Sequence, residues 1–492
     1  MRQSTLRGYA SGLPGASRSR LRLPIPIPGH GECFGLNPGL SDFVTYLRER
    51  YHYAWLVVGM GTMLRVTANF VSQAFAVILV ILQTDFAWGV TAIVLAQVFR
   101  SVASAILSPV SGWVGDRYGA RKSLFVAATL YVAGMLLLSS VNQLWQLYLY
   151  YSLVLGLAQA LFTVNIPTTV AAWFKEKLGV AVGIQQSFGG MGASVTAPAL
   201  ALLVSLTGWQ VGFWIIAAVG GVILFSLLFF FHSEPADRGM KPLGATDDDP
   251  APVPVNAATA KLRSKVFLRH ARRTRAFWNL PFIHLLGCMG HAIVIWHVVL
   301  FATEQGLSLT AAAAIVTIYT MASVSSRLFI PILADRFGAK ATMILPYALQ
   351  GVTVIMLFWA QSAWEFYLFA VLFGIGFGGE MSAFLIANRQ YYGMGPVRSI
   401  FGFQHLGSGL GMAAGGLVGA VIYDFRNGEA PTRYLGFIDV GGGSYDLAWI
   451  ISIAASLAGV VFILLLESSS RVLIPDWEDS LPAEAQASPA SP

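Results

Sequence analysis

Four charged side chains stand inside long apolar runs of this 492-residue chain: Arg65, Arg100, Arg327 and a single acid, Glu380. An ionisable group in the middle of a membrane helix costs about 2.5–3.5 kcal/mol on insertion scales, so each one calls for a cavity or a partner. Glu380 can neutralise one arginine at most, which leaves at least one guanidinium in need of another anion. His284, His291, His297 and His405 stand in the same runs and can add to the positive charge. Their polar neighbours keep to faces. Arg65, Asn69 and Gln73 recur every four residues, Gln97, Arg100, Ser104, Ser108 and Ser111 step by three and four, and Thr320, Ser323 and Arg327 do the same. At helical periodicity each set is one polar stripe on an apolar rod. A guanidinium presents a planar fork that matches a carboxylate and keeps its proton. Glu380 has two readings, a structural partner for an arginine or a proton carrier facing a cavity. His291 and His297 flank Trp296 and read as packing residues or as titrating ones. No phosphate loop and no nucleophile–base set emerges, and Cys33 and Cys288 lie far apart. No catalytic residue, metal site or cofactor is therefore expected.

The elements that must hold these residues are membrane spans. Apolar residues make up 56% of the chain and charged ones only 11%, with a mean hydropathy of +0.65. A soluble domain carries roughly 25% charged residues, so a soluble enzyme and a disordered protein are both excluded. A hydrocarbon core of about 30 Å needs about 20 apolar residues per helix. Runs of that length fall near 54–80, 90–112, 122–141, 145–170, 178–204 and 209–232, then near 277–302, 310–333, 341–361, 365–388, 398–423 and 444–467. The expected fold is all-α, with twelve transmembrane helices in two six-helix halves. The domain plan is a disordered tail (1–53), a first bundle (54–232), a linker (233–276), a second bundle (277–467) and a loose tail (468–492). With the N-terminus inside, 26 of the 31 lysines and arginines fall on inside segments and only Arg426 and Arg433 outside. That asymmetry places both termini in the cytoplasm, in a plasma or inner membrane. The net charge of +7 is then an orientation signal and gives nucleic-acid binding no support. The basic end of the linker, from Lys261 to Arg275, is expected to lie on anionic headgroups.

The two halves repeat. Gly112-Trp-Val-Gly-Asp116-Arg117-Tyr-Gly119-Ala-Arg121 recurs 219 residues on as Pro331-Ile-Leu-Ala-Asp335-Arg336-Phe-Gly338-Ala-Lys340. The same offset relates the segment around Gln185 and Gln186 to that around Gln404 and His405. Parallel repeats of this kind are a transporter architecture, with the substrate site between the halves near midplane. Gln185 and Gln404 are cavity candidates, against a reading of their glycine-rich helices as close-packing faces.

The loop motif resembles the signature of the major facilitator superfamily, over about residues 50–470. Ala172-Trp173-Phe174 leading to Gly179 and Gly183, Glu304-Gln305-Gly306, and Gly443-Ser444-Tyr445 look like the monocarboxylate porter and oxalate/formate antiporter branch. The resemblance implies that the loops of Asp116, Arg117, Gly119 and Arg121, and of Asp335, Arg336 and Gly338, latch the outward-facing state. It also implies that Arg327, eight residues before the second motif, binds a substrate carboxylate. Ser323 stands where monocarboxylate porters carry an aspartate, and the lysines of the first and eleventh spans in those families are missing here. Glu380 or a histidine such as His291 must then couple protons. The expected activity is secondary active transport of a small organic anion by a monomer, with a proton or an exchanged anion as the other partner. Proton-driven export of an amphipathic compound is the rival, and a non-transporting receptor or scaffold on the same fold is the different-class alternative.

Overall fold

The computed structural model describes residues 52–73, 75–249, 255–426, 432–434, 438–440, 445–482 and 485. The tail expected over 1–53 lies outside the described residues except for its last two. Among them, ten helices are long and apolar enough to cross a membrane: Ala92–Tyr118, Ala120–Leu138, Leu144–Ala172, Trp209–Phe230, Arg275–Glu304, Leu309–Phe337, Ala339–Phe358, Ala363–Tyr392, Arg398–Tyr423 and Asp446–Leu464. Tyr53–Gln73, prolonged by Phe75–Phe86, takes the first place in chain order and Leu178–Thr207 the fifth. Among the described residues the result is a helical bundle of twelve spans, with a short antiparallel pair, Thr432–Tyr434 against Ile438–Val440, before the last. Large apolar side chains such as Leu202, Leu206, Val222, Phe229 and Leu309 stay exposed. On this scale such a surface is a lipid face, because water would drive it to aggregate.

Local sequence sets the breaks. Gly119 and Gly338 end the second and eighth spans at φ +90° and +93°, a conformation that side chains with a Cβ resist. Ser308 caps the eighth span by accepting from the Ala311 amide at 3.3 Å. The tenth span stops at Glu380 and resumes at Phe384, so the acid sits at a helix break.

The halves meet where the second span packs on the eleventh and the fifth on the eighth. Gly112 lies against the carbonyl of Arg398, and Gly179 against the carbonyl of Pro331, with no room for a side chain at either. Gly112 and Pro331 are related by the 219-residue offset, and so are Gly179 and Arg398. One close approach has therefore been made twice.

The linker is more ordered than its composition suggests. Asp249 takes the Lys175 ammonium at 2.6 Å, and Leu243 exchanges backbone hydrogen bonds with Trp173 and Lys175, both at 2.9 Å. A linker helix, Ala257–Ala271, is capped by Asn256, which accepts from the Thr259 amide at 2.8 Å. It buries Val266 and Phe267 and leaves Lys261, Lys265 and Arg269 exposed. The described part of the C-terminal segment, 468–482, is docked and not loose. Ile474, Trp477 and Leu481 are buried, Phe267 meets Trp477 edge-on at 5.0 Å, and the Leu473 amide donates to the Tyr391 carbonyl at 2.8 Å. Three apolar anchors at short intervals outweigh the polar residues between them.

Candidate functional site

A cavity of about 330 Å³ lies between the halves and takes walls from both. The first, second and fourth spans bring Arg65, Asn69, Arg100 and Gln159, and the fifth brings Gln186. The opposite wall holds His284, His291, Arg327, Phe377 and His405. Arg65, Arg100, Arg327, Asn69, His291 and His405 thus come together as site residues from distant parts of the chain. The side chain of Gln73 lies outside the described residues.

On the first wall, Gln159 Nε2 donates to Asn69 Oδ1 at 2.9 Å and to Thr163 Oγ1 at 2.8 Å. Arg100 is buried, donates Nε to Gln97 Oε1 at 3.2 Å and sits 5.4 Å from the Tyr151 ring centre. Arg65 lies along Gly189, which leaves space for its stem. On the second wall the Arg327 guanidinium stacks 5.2 Å from the Phe377 ring centre, and its Nε is buried without a partner. Among the described residues no carboxylate lies within 4.0 Å of Arg65 or Arg327.

Among the described residues Glu380 makes no close ion pair with an arginine, although its charge is felt at Arg327. It is fully buried behind the cavity wall and takes the Nδ1 of His291 at 2.7 Å. Tyr347 Oη and Cys288 Sγ donate to its other oxygen at 3.3 and 3.7 Å. Gly287 makes the space, since a Cβ there would meet that same oxygen. His291 lines the cavity and touches Glu380, so it joins the open space to the buried carboxylate. His284, Cys288 and Glu380 place ligand-capable atoms within 4.8 Å of one another. Cys288 and His291 already hydrogen-bond the carboxylate, and three arginines line the neighbouring cavity.

Gln185 and Gln404 are placed differently from their expected cavity role. Both are fully buried and neither lines the cavity. Gln404 exchanges two hydrogen bonds with Asn388, at 2.7 and 3.0 Å, while Gln185 packs beside Gly61. Their successors, Gln186 and His405, face the cavity instead. One residue turns a helix by about 100°, which is enough to exchange the two roles. Since Gln186 and His405 are themselves related by the repeat, the offset was the signal that could have found Gln186 once His405 was chosen. Gln159 and His284 were also missed as site residues.

At the end of the bundle that carries both motif loops, each motif aspartate crosses to the opposite half. Asp116 accepts from the Ser399 amide at 2.8 Å, the Ser399 hydroxyl at 2.7 Å and the Arg398 amide at 3.2 Å. Asp335 accepts from the Gly179 amide at 3.1 Å. Arg398 and Gly179 begin the eleventh and fifth spans, so both contacts set a carboxylate on the positive end of a helix. The motif cations act nearer home. Arg121 donates to the Leu228 and Phe229 carbonyls at 3.0 and 2.6 Å, closing the C-terminal end of the sixth span. Arg117 and Arg336 stack on Trp113 and Phe337 at 4.7 and 5.3 Å and do not cross.

A family profile described as Major Facilitator Superfamily matches residues 60–315 and 292–489. The chain is similar to monocarboxylate transporter 11 of Homo sapiens, 26% identical over 331 residues, covering 65% of this chain and 66% of that one. It is also similar to the oxalate:formate antiporter of Oxalobacter formigenes, 23% identical over 396 residues, covering 78% and 88%. In fold it resembles a bacterial homologue of the iron transporter ferroportin in its outward-facing state, with a TM-score of 0.61 at 14% identity, covering 83% of this chain and 98% of that one.

Proposed function

The chain belongs to the Major Facilitator Superfamily, and from that premise we propose that it is a secondary active transporter of a small organic anion, working by alternating access. One observation carries the reading: Arg65 and Arg327, from opposite halves, line one cavity and neither has a carboxylate partner among the described residues. A buried cation without a close ion pair is costly, and an anionic substrate bridging the two would lower that cost while drawing the halves together. The names of the two relatives, a monocarboxylate transporter and an oxalate:formate antiporter, support an organic acid as cargo. Glu380 and His291 would carry the coupled proton. They share a hydrogen bond, and only His291 reaches the cavity, so protonation of the pair would be felt where the substrate binds. Both termini would face the cytoplasm of a plasma membrane, with the aspartate contacts as the inner gate.

The test is binding and uptake of candidate acids by the purified protein in proteoliposomes, with and without a pH gradient, alongside Arg327→Lys. The lysine keeps the charge and loses the fork, which costs about 1.5–3 kcal/mol and lowers anion affinity roughly tenfold to hundredfold. If Arg327→Lys binds and carries an acid as well as the parent, the anion site is elsewhere. Phe162, Phe377, Phe401 and Met412 in the cavity wall would then favour export of an amphipathic compound.

A further inference from the structure

The seventh span, Arg275–Glu304, sets His284, Cys288 and His291 on one face at steps of four and three. The break after Glu380 brings the carboxylate of the tenth span to the same place. His284, Cys288 and Glu380 are all buried, and each offers a ligand atom within 4.8 Å of the other two. Cys288 Sγ stands 3.7 Å from Glu380 Oε1. Two ligands on a tetrahedral ion, with bonds of about 2.0–2.3 Å, are held at a similar separation. His284 is the member that the packing leaves unused. Neither of its ring nitrogens has a hydrogen-bond partner, although the Gln404 carbonyl lies close by and the ring stacks 4.1 Å from Phe384. A buried imidazole with both nitrogens unpaired is costly, and this one lines the central cavity one turn from Cys288. The surrounding contacts suit a set of ligands. Glu380 Oε2 takes His291 Nδ1 at 2.7 Å, Tyr347 Oη donates to Oε1 at 3.3 Å, and the Ser408 hydroxyl lies beside Cys288. Ligating carboxylates are held by hydrogen bonds of this kind, and ligating histidines turn their second nitrogen to a carbonyl such as that of Gln404.

We propose that His284, Cys288 and Glu380 form a site for a transition-metal dication of the zinc kind, with a fourth position open to the central cavity. Thiolate and imidazole select zinc and its neighbours over magnesium and calcium, which take oxygen ligands. Binding displaces a proton: the S–H bond of Cys288 breaks, its electron pair goes to the metal, and H⁺ leaves for the solvent. The thiolate and the ionised carboxylate together cancel the charge of the dication, so the loaded site shows no net positive charge to Arg65, Arg100 and Arg327. One cysteine is enough, and the distance between Cys33 and Cys288 has no bearing on it. The ion would occupy the carboxylate to which the proposed function gives the coupled proton, and it should therefore inhibit gradient-driven uptake. That inhibition rests on the transport reading, whereas binding does not, so the two are measured separately.

The full chain in its Cys33→Ser form, purified without a histidine tag, is titrated with Co²⁺ in detergent; Cys288 is then the sole thiol. A saturable near-ultraviolet charge-transfer band should report a cobalt–thiolate bond, accompanied by the visible bands of tetrahedral coordination. Zn²⁺ should bleach both, and excess Mg²⁺ neither. Cys288→Ser should lose the charge-transfer band, and His284→Ala and Glu380→Gln should each weaken Co²⁺ binding at least about tenfold. Arg327→Gln and Gln186→Ala should leave it unchanged. His284→Ala removes no hydrogen bond, so it carries the test if Glu380→Gln does not fold. As a second reading, Zn²⁺ should raise the unfolding midpoint of the Cys33→Ser protein and not that of His284→Ala. No charge-transfer band, a band indifferent to His284→Ala, or one bleached by Mg²⁺ overturns the site. Binding as expected with uptake untouched by Zn²⁺ supports the site and counts instead against the coupling role given to Glu380.

Discussion

Gly287 shows how closely the buried carboxylate is fitted, because the only place for a Cβ on that residue is occupied by a Glu380 oxygen. Gly287→Ala should push the carboxylate off its partners and lower the unfolding midpoint, with coupling lost before folding; thermal scans and gradient-driven uptake on the same sample read both. Glu380→Gln should spare substrate binding and abolish the response of transport to a pH gradient. His291→Gln should give the same phenotype, and the double variant should be no worse than either, since residues in one hydrogen-bonded unit do not add. Additive losses would mean that the two act separately. At this scale the sequence was informative about charge and poor about direction. Arg65, Arg100, Arg327, His291 and His405 could be picked out because an ionisable group in an apolar run is expensive. Gln185 and Gln404 could not be told from Gln186 and His405, because neighbouring polar residues carry no sign of which one turns inward. The pairing of Glu380 with His291 instead of an arginine depended on the helix break after Glu380 and on the absent side chain at Gly287.

Two helices of opposite halves begin on aspartates they do not own. Replacing a helix-capping carboxylate typically costs about 0.5–2 kcal/mol. Asp116→Asn should therefore shift the closed gate by that amount and slow transport several-fold, while substrate affinity stays within a few-fold. Asp335→Asn should do less, because Asp335 makes one amide contact where Asp116 makes three hydrogen bonds. Stopped-flow uptake together with equilibrium binding would separate the two quantities; a large loss of affinity with normal cycling would remove the gate from these loops. The motif itself was legible, as were its glycines and its repeat. Its partners were not, since Ser399 lies 283 positions from Asp116 and nothing local marks the start of a distant helix as its target.

The whole molecule was the most legible scale. Spans of sufficient length and a constant offset are long-range averages that survive local errors. The linker and the C-terminal segment were the least legible, because a few buried side chains decide whether a polar stretch docks. Single cysteines in the linker should react with impermeant reagents from the cytoplasmic side alone; labelling from outside intact cells would reverse the topology. The linker clasp carries its own pH signature. The Lys175 ammonium, followed by the Thr246 amide, holds the Asp249 carboxyl below its usual range. The clasp should stand at all pH values above that range and open only as the pH falls through the lowered value. Asp249→Asn should open it at neutral pH, read as faster nicking of the linker by trypsin. The aspartate contacts of the two halves bear, finally, on genetics. At Gly179 Asp335 is answered by a main-chain amide, which has no charge to exchange, so reversion screens starting from Asp335→Lys should return no compensating allele at codon 179. Proline, the one replacement that removes the donor, would also drive its ring into the Pro331 carbonyl. Revertants of that allele should restore the aspartate itself, fall at Arg389, which feels the Asp335 charge, or fall at sites that alter the balance between states.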